Sequence, residues 1–177
     1  TNTGMGQDGA DKLIFITNSS PRMILDNNSR ISLSNNDLGT ANTVFGKSIG
    51  ATAGIDADSN YNVFIGHEVA KNNTLDTALN NVGIGYRSLY SLTGADDNIA
   101  IGREAGKGIT TGSTNTAIGS YSLKELVDGS GNTAIGSYAM GDTVGGTTSD
   151  GSSNNTVMGY NAAGGNWADQ DCSNIVA

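Results

Sequence analysis

A five-residue block, Asn-x-x-x-Gly, recurs along most of this chain and restricts it to a repeat architecture. It reads Asn42-Thr-Val-Phe-Gly46, Asn62-Val-Phe-Ile-Gly66, Asn81-Val-Gly-Ile-Gly85 and Asn98-Ile-Ala-Ile-Gly102. It continues as Asn115-Thr-Ala-Ile-Gly119, Asn132-Thr-Ala-Ile-Gly136 and Asn155-Thr-Val-Met-Gly159, and an eighth copy begins at Asn174. The steps between Asn residues are 20, 19, 17, 17, 17, 23 and 19, so the unit is 17 residues, with insertions of 3, 2, 6 and 2 in four copies. A fixed short period of this kind implies stacked supersecondary units that bury a core only together.

Within each block the fourth position is large and apolar (Phe45, Ile65, Ile84, Ile101, Ile118, Ile135, Met158). The third is mostly small or β-branched (Val44, Phe64, Gly83, Ala100, Ala117, Ala134, Val157). Neighbouring side chains of a strand point to opposite faces. One face of the predicted strand is therefore bulky, the other slim, and both are apolar. One side packs inside a coil; the other needs a partner, most economically further copies of the chain around a shared axis. A small position three residues after each Gly (Ile49, Val69, Ser88, Ala105, Ser122, Ala139, Ala162) predicts a second short strand. Stacked copies place equivalent Asn residues about 4.8 Å apart, close enough for a side-chain hydrogen-bond ladder. Each Gly is expected at a corner, either at a backbone angle closed to other residues or where chains approach closely. Seven to eight coils give a rod of roughly 35 Å.

Composition supports a thin, repeated core. Gly is 26 residues of 177, aromatics are 6% and charged residues 15%, which leaves few large side chains for a central core. The net charge of −8 disfavours nucleic acid or an anionic membrane surface as partner. No apolar run approaches the ~18 residues that span a bilayer. The lone Cys172 excludes an intrachain disulfide framework. The chain starts at Thr1 with no signal-like apolar stretch, which reads as a processed piece whose targeting information is missing.

Residues 1–41 lack the repeat. Lys12–Thr17, Arg22–Asp26 and Arg30–Ser34 read as three strands separated by the turn sequences Asn18–Pro21 and Asn27–Ser29. They form an expected β-meander cap of residues 1–41 on a repeat domain of residues 42–177.

Candidate chemistry is sparse. The two positions after each Gly predict exposed columns, one of which runs Ser48, Glu68, Arg87, Glu104, Tyr121, Tyr138, Asn161. Glu68, Arg87 and Glu104 alternate in sign and predict a salt-bridge ladder. As a glycosidase pair, Glu68 and Glu104 would stand about 9.6 Å apart, and an intervening Arg would keep both ionised. No catalytic residue is expected. Tyr121 and Tyr138 should stack, either as a stabilising aromatic ladder or as a receptor contact. Trp167, in the segment after the last full block, is a further candidate receptor contact or a cap of the last coils. His67 lacks the companions of a zinc site, and the Asp-rich turns (Asp56, Asp58, Asp96, Asp97, Asp150) lack a regular calcium-binding series. No metal or cofactor is expected. An ice-binding face is disfavoured because the Thr column stops at Thr116, Thr133 and Thr156. Recognition is expected where the repeat breaks, as in the long insertion of residues 143–154.

The segments Asn115–Leu123 and Asn132–Met140 resemble the repeats of bacteriophage tail-fibre and tailspike proteins. Arg22–Leu33 is similar to a strand-turn-strand that often precedes such repeats. A looser resemblance is to the heads of trimeric autotransporter adhesins, whose shorter repeat shares Asn-x-Ala-Ile-Gly. Together these cover nearly the whole chain, although the self-cleaving chaperone domain that often ends such fibres is not in this sequence. The resemblance implies an intertwined homotrimer, each chain a left-handed parallel β-roll. It further implies a virion fibre that meets a host-surface glycan or protein; the alternatives are an adhesin on the bacterial outer surface and a glycan-degrading tailspike. The resulting expectation is an all-β parallel β-helix of 17-residue coils, structural in role.

Overall fold

The structure, a computed structural model, describes residues 4–6, 13–17, 20–25, 31–33, 41–50, 55, 58–71, 75–141 and 151–164. It contains strands and turns and divides into two units, residues 1–36 and 37–177.

The first unit is an antiparallel sheet of β1 (Gly4–Gly6), β2 (Leu13–Thr17), β3 (Ser20–Leu25) and β4 (Ile31–Leu33), paired in sequence order. It corrects the sequence reading twice. A fourth strand, the Gly-rich β1, precedes the three expected ones and pairs Met5 with Phe15. Ser20 and Pro21, expected in a turn, lie in β3, with Pro21 opposite Ile16 where the register slips. A Pro has no amide to give to the ladder, and a slip in register is where a strand tolerates one.

The second unit is a β-solenoid. Its sheet stacks seven parallel strands in register: β5 (Thr43–Lys47), β6 (Val63–His67), β7 (Val82–Ile84), β8 (Ile99–Ile101), β9 (Thr116–Ile118), β10 (Thr133–Ile135) and β11 (Thr156–Met158). Each block aligns with the next, as in Ala117↔Ala134 and Ala134↔Val157, so even the six-residue insertion leaves the register untouched. Parallel strands buried on one face by their own coil fit the apolar third position, which is fully buried from Phe64 to Val157.

Three features close a coil of 17 residues. The Asn side chains form a continuous buried ladder. In each step the upper Asn donates through backbone N and Nδ2 to Oδ1 of the one below, from Asn62→Asn42 (2.8 and 3.1 Å) to Asn155→Asn132 (3.1 and 3.0 Å). The same Nδ2 groups tie the coil shut, as Asn98 Nδ2 to Gly112 O (2.9 Å) and Asn115 Nδ2 to Gly129 O (2.9 Å). That bond spans 14 residues in regular coils but 20 from Asn132 to Ser152, which places the long insertion between the strand and the closing turn.

The repeat Gly residues occupy a corner at φ between +125° and +145°. From Gly46 to Gly136 a Cβ would meet the backbone of the next coil, 2.6 Å from Gly119 O for Gly102 and from Gly136 O for Gly119. Both reasons anticipated for the Gly apply at once.

Left-handed turns supply the third feature. The residue before each Asn and the second and fourth residues after each Gly adopt φ between about +46° and +75°, among them Asp97, Glu104, Tyr121 and Leu123. Each such non-Gly residue costs about 1–2 kcal/mol locally. Coil-to-coil hydrogen bonds offset this, as Glu104 N to Tyr86 O and Tyr121 N to Arg103 O (both 2.8 Å).

These turns also overturn one expectation. Among the described residues the second strand predicted after each Gly is absent: residues 86–91 and 103–108 are turns, because left-handed residues flank the small position on both sides. The small residues there do point inward, and Val69, Ser88, Ala105, Ser122 and Ala139 are fully buried. The bulk of the core comes from Leu89, Leu92, Ile109, Leu123 and Leu126, just beyond.

Ser88 Oγ is the only buried side-chain polar atom without a hydrogen-bond partner among the described residues. Ser88→Ala removes that unpaired hydroxyl and leaves the core shape intact. It should therefore stabilise the protein by about 1 kcal/mol, read as a shift in the denaturation midpoint.

Candidate functional site

Two surfaces of the solenoid carry the residues that could act on something outside the chain. The first is the outward face of the sheet. Positions two and four of each block point away from the core, so Phe45 (64% exposed), Met158 (60%), Ile99, Ile101 and Ile118 are open to solvent. Val63, Ile65, Val82, Ile84 and Ile135 are part-buried on the same face. An apolar strip running over seven strands is larger than the scattered exposed aliphatics of an ordinary monomer surface.

The second surface is the corner after each Gly, where the expected columns form but are less exposed than predicted. Glu104 is buried, and Glu68, Arg87, Tyr121 and Tyr138 are part-buried; Ser48 and Asn161 at the ends are exposed.

The charge ladder forms in part. Arg87 Nε donates to Glu68 Oε2 (2.6 Å), and Lys71 donates to the other Glu68 oxygen. Glu104 pairs instead with Lys107 of its own coil (3.1 Å), and the Arg87 guanidinium lies over the rings of Tyr86 and Tyr90 (5.0 and 5.1 Å). Hydrogen bonds from Lys71 first and Arg87 second pull the Glu68 carboxyl from its ordinary 4.5 to about 2. A carboxyl held that low cannot act as a general acid near neutral pH.

The shift also makes a stability prediction. A depressed folded-state value contributes stability above the unfolded pKa of 4.5, and that contribution is lost as pH falls toward 2. Melting temperature should therefore drop more steeply between pH 5 and pH 2 in the wild type than in Glu68→Gln, with the two curves converging in acid.

The aromatic column is present. Tyr121 and Tyr138 stack with centroids 4.8 Å apart and planes at 18°, and Tyr160 meets Tyr138 edge-on at 6.4 Å. Arg103 covers the Tyr121 ring at 5.2 Å. The facing sides of Tyr121 and Tyr138 are thus closed by each other, which favours stacking over ligand contact at these two rings. The Tyr160 ring is 80% exposed.

His67 is exposed and tilts against Tyr86 at 5.7 Å. Asp96 accepts a hydrogen bond from Leu79 N (2.8 Å), a coil-to-coil contact. Among the described residues no three His, Cys, Asp or Glu side chains converge. Trp167, Cys172, Asp56, Asp150 and the eighth block lie outside the described residues. No family model, curated protein or solved structure matches the chain.

Proposed function

We propose that this chain is a structural segment of a bacteriophage tail fibre that contributes to host-cell attachment. The observation that carries the proposal is the apolar outward face of a regular solenoid. A stiff stack with one sheet face left unpaired is suited to be one strand of a multi-chain rod. Fully burying a Phe, Ile or Met side chain contributes about 1.5–3 kcal/mol, so a column of such residues can drive tight self-association. We take three copies, with the outward faces toward a common axis and left-handed coils, from the likeness of the repeat to fibre repeats.

The partners are then further copies of the chain and a host-surface glycan or protein, reached outside the cell on the virion. Nucleic acid, membrane insertion, cofactors and catalysis have no part in this reading. An adhesin head on a bacterial surface uses the same architecture in another owner. A glycan-degrading tailspike is disfavoured by the doubly paired Glu68. Antibodies raised against the purified chain should label the tail fibres of particles that carry it in electron micrographs. Label on bacterial surfaces and none on particles would replace the fibre with the adhesin.

A further inference from the structure

The cations and most tyrosines of the solenoid gather at one edge, together with Glu68 and Glu104. All six Lys and Arg of residues 41–164, and five of the six Tyr in the chain, fall within five residues after a repeat Gly. The eight Asp of the same stretch all lie elsewhere in the unit. A chain of net charge −8 thus presents one aromatic and cationic edge along its stacking axis.

Most of the cations on this edge are already engaged. Lys71 and Arg87 pair with Glu68, Lys107 with Glu104, and Lys124 with Glu125. Arg103 differs: it is exposed, makes no ion pair among the described residues, and its guanidinium is held over Tyr121. From it the pile Arg103–Tyr121–Tyr138–Tyr160 crosses four coils, and the Tyr160 ring in it is exposed. Three coil steps at ~4.8 Å set the free guanidinium and the exposed ring about 14 Å apart along the axis.

We infer that this edge binds an acidic polysaccharide, bearing carboxylate or sulfate groups, laid along the rod. A planar guanidinium fixed over a ring reads a carboxylate or sulfate by paired hydrogen bonds with little further ordering. An exposed Tyr face suits the apolar face of a sugar ring. Nucleic acid fits less well, because a phosphate backbone places charge every ~1.7 Å of helix axis and needs a continuous positive stripe. Here Glu68, Glu104 and Glu125 interrupt it. The net charge of −8 opposes the approach of any polyanion, so the contact must be carried locally by this edge, within the ~8 Å over which fields decay at physiological salt.

This inference rests on the attachment reading for its biological meaning, and names the ligand class of that attachment. The test is binding of the assembled protein to immobilised alginate, heparin, dextran and duplex DNA. Alginate or heparin should retain it, their ratio separating carboxylate from sulfate as the recognised group; dextran and DNA should not. Arg103→Gln and Tyr160→Ala should each weaken retention about ten-fold with unchanged circular dichroism and mass, whereas Tyr160→Phe keeps it. Equal retention on dextran or DNA, no retention at all, or variants that bind like wild type would overturn the inference. A correctly assembled protein that binds none of the polymers would sink this inference alone, leaving the fibre reading in place.

Discussion

Replacing Asn98 with Ala should lower the stability of the solenoid by about 3–5 kcal/mol, a large part of what a domain of this size possesses. Asn98 Oδ1 accepts from Asn115 N (2.9 Å) and Asn115 Nδ2 (3.1 Å), while Asn98 Nδ2 donates to Asn81 Oδ1 (3.1 Å) and Gly112 O (2.9 Å). Alanine leaves the Asn115 donors and the Gly112 carbonyl buried and less satisfied, and each such group costs about 1–3 kcal/mol. The damage should be local along the stack, because each coil contacts only its neighbours. Amide exchange at Asn115 and Asn132 should accelerate most, and the denaturant midpoint should fall. Thr111→Ala, on an exposed turn of the same coil, should change neither by more than about 0.5 kcal/mol.

Gly119→Ala should be more severe still and should prevent the regular stack from forming. Its φ of +128° is closed to residues with a Cβ, and the added atom would sit 2.6 Å from both C and O of Gly136. The obstacle is backbone tied into the sheet, so it cannot swing aside as a side-chain end would. Gly106→Ala is the matched contrast. Leu89, Leu123 and Met140 occupy the equivalent position at φ near +46° to +48°, and a Cβ at Gly106 meets only side-chain atoms from 3.0 Å outward. It should change stability by less than about 1 kcal/mol. Circular dichroism and urea denaturation of the two variants separate a forbidden corner from a permitted one.

The Asn and Gly of each block were legible because their roles depend on spacing alone. A buried amide that must meet its copy one coil away, and a corner where coils almost touch, each admit one residue type at one offset. The strand between them was legible for the same reason, since alternation of slim and bulky residues divides its two faces. The rest of the coil depends on backbone conformation that side-chain patterns do not encode. Arg87, Glu104, Tyr121 and Leu123 carry no mark of a left-handed residue, so the small position between them reads as strand when it lies in a turn. Leu92, Ile109 and Leu126, which the alignment of the blocks does not single out, lie buried beyond those turns. In the first unit, Gly4–Gly6 forms a strand without a strand-like composition because its pairing partner, β2, supplies the pattern. On the corner, the aromatic stack followed from the 17-residue step. The pairing of Glu104 with Lys107 did not, because a partner within its own turn is closer than one a coil away.

The mass of the protein in solution tests the central claim, that copies of the chain cover the apolar outward face. Light scattering across a dilution series should give about 54 kDa, three chains of 18.0 kDa, with mass falling for Ile101→Glu/Ile118→Glu while the solenoid signal persists. Those two side chains point outward, so charge there disrupts association and spares the coil interior. A wild-type mass of 18 kDa at all concentrations would contradict the account.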